Sequence, residues 1–141
     1  MEKVICCLCV IFFLGACDNN SNIVVFDNYN DGLLNASEHN QKILLIFDFW
    51  GNPTNSVNNN IYNKKFEDEL RDLTIILLKV DEPGSAGIIN RGLQKDKFGT
   101  DTQPTYYLLN SEAKVIKGPI GYCKKSEFEA FIRQGVMGIA D

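Results

Sequence analysis

The sequence predicts one α/β domain built on a sheet of about four strands flanked by helices. Two continuous apolar runs, Ile43 to Trp50 and Thr74 to Val80, have the length and composition of strands buried on both faces. Stretches with apolar residues at helical spacing separate and follow them, as expected where helices cover a sheet. The chain's 141 residues can bury one core, and 45% hydrophobic content with 11% aromatics excludes a disordered chain. The formal charge is −4 with no basic stripe, so nucleic acid is not an expected partner.

Met1 to Cys17 has a lysine near its start, an apolar stretch too short for a permanent span, and small residues before a cysteine. That is the pattern of a secretory signal. Leu14-Gly15-Ala16-Cys17 matches the bacterial lipoprotein box, predicting cleavage after residue 16 and a lipid on the Cys17 thiol. Each buried methylene contributes about 0.8 kcal/mol to attachment, so two or three acyl chains hold where one would not. The expected organisation is a signal peptide over 1–16, a polar tether with a possible edge strand (Ile23 to Phe26) over 17–29, and the domain over 30–141. The expected location is the periplasmic face of the inner membrane, or the outer membrane.

Asp31 to Asn40 reads as the first helix, with Leu33, Leu34 and Ala36 on its apolar side. The strand over 43–50 contains Asp48, a costly place for a carboxylate unless it is satisfied or protonated. Asn52-Pro53 has the form of a helix start, with Asn52 as N-cap and Pro53 in the first helical position. Five of the nine residues from Asn52 to Asn60 are asparagine, each costing up to ~0.7 kcal/mol relative to alanine in a helix interior, so the first turns should be loose. Phe66, Leu70 and Leu73 continue an apolar face into the second strand. Asp81 to Gly84 breaks that strand, and Ser85 is a candidate cap for a helix carrying Ile88, Ile89 and Leu93.

Gln103-Pro104 precedes a strand over 105–110. Asn110-Ser111-Glu112 turns it into a second strand, over 113–117, that Gly118-Pro119 should end. Ser126 to Glu129 matches a capping box for a last helix, with Phe128, Phe131 and Ile132 inward and Gly135 just past its end.

Asp48-Phe49-Trp50-Gly51, Leu93 to Gly99, Gln103-Pro104-Thr105 and Gly121-Tyr122 together resemble thioredoxin-fold proteins. The likeness runs from about residue 30 to 136 and is greatest to the periplasmic C-terminal domain of DsbD-type thiol:disulfide interchange proteins. It implies a three-layer sandwich around a mixed sheet. It also implies an active-site turn over Trp50, Gly51, Asn52, Pro53, Thr54, Asn55, Ser56 and Val57, with the family's two cysteines falling on Thr54 and Val57. In the family, an aspartate at the place of Asp48 assists proton transfer to the inner cysteine. A cis-proline loop, here Gln103-Pro104, lies against the pair and binds peptides.

Dithiol exchange needs one thiolate to attack and a second thiol to release the mixed disulfide. Threonine and valine supply neither. Three readings remain open on sequence. The first is a lipid-anchored binding or accessory module that holds a protein or peptide partner through Trp50, Asn52, Thr54 and Gln103, with Trp50 and Tyr106 or Tyr107 as anchors. The second is a thiol-disulfide exchange protein working through Cys123, its pKa lowered by Lys124 and Lys125. The third gives the Thr54 hydroxyl a part in binding a glutathione-like ligand. No cofactor is expected, and no metal either, since His39 is the only histidine and no second ligand pair accompanies Cys123.

Overall fold

The computed structural model describes residues 23–52 and 55–138. The signal segment, the lipidation position Cys17, Pro53 and Thr54 lie outside the described residues. The fold is a five-stranded mixed sheet with helices on both faces, in the strand order β1-β3-β2-β4-β5. In chain order the elements are β1 (Val25–Phe26), α1 (Tyr29–His39), β2 (Lys42–Phe49), α2 (Ser56–Ile61), α3 (Glu67–Arg71), β3 (Leu73–Val80), α4 (Ser85–Gly92), β4 (Thr105–Leu109), β5 (Val115–Ile120) and α5 (Lys125–Met137).

β2 is the central strand. It pairs in parallel with β3 from Lys42↔Leu73 to Phe49↔Val80 and antiparallel with β4 from Ile43↔Leu109 to Phe47↔Thr105. Side chains alternate across a strand, so the two faces of β2 feed two cores. Leu44 and Ile46 pack with Val57, Ile61, Phe128 and Ile132 under α2 and α5, while Ile43, Leu45 and Phe47 pack with Ala36 of α1. Asp48 continues the Leu44–Ile46 row and therefore faces the α2 side.

The fifth strand is the expected edge segment. β1 pairs in parallel with β3 through Val25↔Ile75 and Phe26↔Ile76, and Ile23 and Val25 pack against the core. The folded unit thus takes in residues before 30.

Several local expectations are corrected by close helix–sheet contacts. α1 starts at Tyr29, with Asn28 as N-cap accepting from the backbone N–H groups of Asn30 and Asp31 at 2.9 and 3.2 Å. Its buried residues are Gly32 and Ala36, because a Cβ on Gly32 would lie 2.4 Å from Ile76 Cγ1. A helix seated so closely turns Leu34 outward, 61% exposed. α4 behaves alike: Gly87 and Asn90 face inward, Asn90 Nδ2 donates to the Lys79 carbonyl at 3.0 Å, and Ile88 and Ile89 point to solvent. Gly84, rather than Ser85, occupies its N-cap position.

β5 runs through Gly118-Pro119 instead of ending before it. α5 begins after Lys124, whose backbone N–H donates to Glu127 at 2.7 Å, so Ser126 is not the cap. Gly135 lies inside α5 against Leu108, and left-handed Gly138 ends the helix. Lys42, the first residue of β2, donates from Nζ to the Gly135 and Val136 carbonyls at 2.9 Å, binding α5's C-terminal end to the sheet.

Candidate functional site

β2 and β3 end side by side, and the turn that follows β2 is fixed by backbone bonds. The Trp50 N–H donates to the Val80 carbonyl at 3.0 Å and the Asn52 N–H to the Phe49 carbonyl at 3.2 Å, while Gly51 takes φ 74°, a left-handed value that suits glycine. Trp50 is left 47% exposed at this end of the sheet.

Asn52 does not cap the next helix. α2 begins at Ser56 after Asn55, which is itself left-handed, and the Asn52 amide instead donates to Asp48 Oδ1 at 3.1 Å. The asparagines do shorten the helix: α2 has only six residues. Val57, the residue that the resemblance sets against a second thiol, is 1% exposed in the core.

Asp48 is 3% exposed and is held by a second partner that sequence reasoning missed. Lys79 Nζ donates to Asp48 Oδ2 at 2.5 Å. The signal was present: in the parallel register Asp48 stands opposite Lys79, one charge in each otherwise apolar run. The charge is therefore compensated by an ion pair and a side-chain amide, as burial requires.

The Gln103-Pro104 peptide bond is cis, and Pro104 is buried at the head of β4. Gln103 is braced: its Nε2 donates to Gln94 Oε1 at 2.7 Å and to the Asp101 carbonyl at 3.0 Å, while Gln94 Nε2 donates to the Thr102 carbonyl at 2.8 Å. Gly121 approaches this loop, since a Cβ there would lie 3.8 Å from the Pro104 carbonyl oxygen. Tyr106 and Tyr107 are 0% and 2% exposed, so they are core residues and Trp50 is the exposed aromatic of the three. Buried Asn60 donates from Nδ2 to the Tyr106 hydroxyl at 3.3 Å, and burial raises that hydroxyl's pKa.

Cys123, far from the turn in sequence, shares a cavity of about 190 Å³ with Ser56, Asn59 and Asn60 of α2. It is 9% exposed, and burial, with Glu127 adding to it, pushes the thiol up to about 11. This is opposite in direction to the lowering expected from Lys124 and Lys125. Both lysines are exposed, and burial dominates. Among the described residues no group of three or more His, Cys, Asp or Glu is placed to hold a metal ion.

No protein-family model matches the chain, and no curated sequence matches it. Solved structures do match. A thioredoxin from Thermus thermophilus is 18% identical, covering 79% of this chain and 85% of that one with a TM-score of 0.61. The C-terminal domain of Neisseria meningitidis DsbD, in its oxidised form, is 12% identical and covers 79% of this chain and 99% of its own, with a TM-score of 0.61. The DsbH oxidoreductase is 14% identical, covering 79% and 83%, at a TM-score of 0.61. At these identities the likeness is one of fold: the chain has the thioredoxin-like α/β architecture that its sequence predicts.

Proposed function

We propose that this chain is a binding or accessory module of the bacterial cell envelope, lipid-anchored through Cys17, that holds a protein or peptide partner without dithiol chemistry. The observation that carries it is the combination of an intact frame with a thiol-free turn. Trp50 stands exposed, Gln103-Pro104 is cis and braced by Gln94, and the position of the second thiol is Val57 buried in the core. Threonine at 54 leaves no nucleophile to attack a disulfide. Asp48, the residue placed to move a proton, is engaged by Lys79 and Asn52. Cys123 is the free cysteine among the described residues, and its raised pKa leaves little thiolate at neutral pH.

The test is capture from solubilised envelope membranes with the intact protein and with Trp50→Ser, in which a half-exposed side chain is removed at little cost to the core. Partners retained by the intact protein and lost by the variant locate the surface. Identical partners in both, or turnover in an insulin-reduction assay with Cys123→Ser, would refute this reading.

A further inference from the structure

Resting on the reading of the turn as a binding surface, we propose that the cavity beside it is a subsite for a carboxylate of a bound acidic peptide. α2 contributes Ser56, Asn59 and Asn60 to one wall, and Lys124 and Lys125 contribute the opposite rim. The remaining lining, Tyr122 and Cys123, adds a hydroxyl and a neutral thiol. Although the chain carries 18 Asp and Glu and a net charge of −4, none of those among the described residues lines this cavity.

Six of the thirteen described Lys and Arg residues form ion pairs with carboxylates, and these two lysines are not among them. Lys65, Lys79, Arg71, Arg91, Lys114 and Arg133 all form ion pairs, whereas neither Lys124 nor Lys125 pairs with a carboxylate among the described residues. The nearest carboxylate in sequence, Glu127, lines the neighbouring cavity between β5 and α5 and is occupied by the Lys124 backbone N–H at 2.7 Å. The amide of Asn59 and the two ammonium groups therefore line the cavity as donors, and the nearby negative charge is that of Glu127, which acts on Cys123 from the neighbouring cavity. Such a wall favours an anion, and at about 190 Å³ the space admits a carboxylate with part of its side chain.

Position supplies the peptide. Tyr122, 72% exposed, lies on this wall and directly follows Gly121, which approaches the Pro104 carbonyl. A chain laid along the Gln103-Pro104 loop would pass Tyr122 on its way to the lysines. The partner class is an extended peptide with an acidic side chain, or its C-terminal carboxylate, beyond the segment that meets the loop.

Trp50 is the sole tryptophan and is half-exposed at the turn, so its emission reports occupancy of the binding surface. The full chain is titrated at low ionic strength with a Trp-free peptide carrying two glutamates and with the same peptide carrying two glutamines. The acidic peptide should bind about tenfold tighter, the advantage should fade with added salt, and it should vanish in Lys124→Gln/Lys125→Gln while the glutamine peptide is unaffected. Equal binding of both peptides, unchanged in the double variant, overturns the subsite and leaves the surface standing. No response to either peptide overturns both. Displacement of the acidic peptide by inorganic phosphate at matched ionic strength would make this a free-anion site and also overturn the proposal. Both lysines are exposed, and an unchanged urea midpoint confirms that the double variant folds.

Discussion

Replacing Lys79 with methionine tests whether the buried Asp48 is held as a charge by its neighbour. The ammonium lies 2.5 Å from Oδ2, with the lysine side chain 32% exposed and the aspartate side chain 4%. At an effective dielectric of about 20 the gross attraction is about 6 kcal/mol, and desolvation of the pair offsets much of it. Removing the partner of a fully buried ion costs about 3–5 kcal/mol. Because Lys79 is partly solvated and Asn52 still donates to Oδ1 at 3.1 Å, the expected loss is roughly 2–3 kcal/mol. With a urea m-value of about 1.5 kcal/mol/M, the unfolding midpoint should fall by roughly 1.5–2 M. Asp48→Asn should cost less, about 1 kcal/mol, since the amide removes the charge that needs compensation and Lys79 can turn to water. The double variant Asp48→Leu/Lys79→Met should return to within about 1 kcal/mol of the parent. Equilibrium unfolding followed by circular dichroism gives all three numbers. A Lys79→Met midpoint within error of the parent would refute the argument that the pair holds this charge in the fold.

Other consequences can be measured on the same protein. Lys42→Met removes the two bonds to the last carbonyls of α5 and should cost about 1–2 kcal/mol, or roughly 5 °C in Tm. Gly118→Ala forces a side chain at φ 104° and places a Cβ 2.7 Å from the Tyr106 carbonyl oxygen, for an expected loss of about 1–3 kcal/mol read from the urea midpoint. Iodoacetamide should alkylate Cys123 about a hundredfold more slowly at neutral pH than a free thiol, with a rate profile centred near pH 11 when followed by mass on the peptide carrying Cys123. The same shift has a stability sign. Burial pushes the folded thiol up to about 11 from its ordinary 9.0, so the neutral form's contribution is complete below about pH 9 and is lost as pH rises toward 11.

The sheet was legible because its signals are redundant: β2 and β3 are apolar along most of their length, as suits a doubly covered strand. The helix faces were less legible. Apolar periodicity places Leu34, Ile88 and Ile89 inward, yet α1 approaches the sheet through Gly32 and Ala36 and α4 packs Gly87 on the Glu82 backbone of the preceding turn, where small size rather than hydrophobicity decides the contact. A moment-based reading counts large apolar residues and overlooks glycines used for close approach. At the site, Asp48 could be singled out from one strand, but its partner required the β2–β3 register. Cys123, in the link between β5 and α5, meets α2 only through the tertiary packing of the chain, which no local pattern encodes.

Electron exchange and the holding of a chain make separate demands on such a turn. Electron exchange requires sulfur at two positions; holding a chain requires a fixed surface. Here the surface is still fixed by many bonds. Trp50 is anchored to Val80, Asn52 to Phe49 and Asp48, and Gln103 to Gln94 and Asp101. Each bond is independent of a thiol, so this geometry stands with threonine at 54 and valine at 57. Val57, packed at 1% exposure with Ile61, Phe66 and Tyr106, adds apolar area to the core beneath the turn. A valine contributes roughly 1.5–3 kcal/mol when fully buried, which holds α2 against the core. Rigidity of this kind lowers the ordering cost of binding. Buried Val57 therefore supports the proposed binding role, and Val57→Cys should loosen the packing beneath the turn by about 1 kcal/mol without increasing affinity for any partner captured through Trp50.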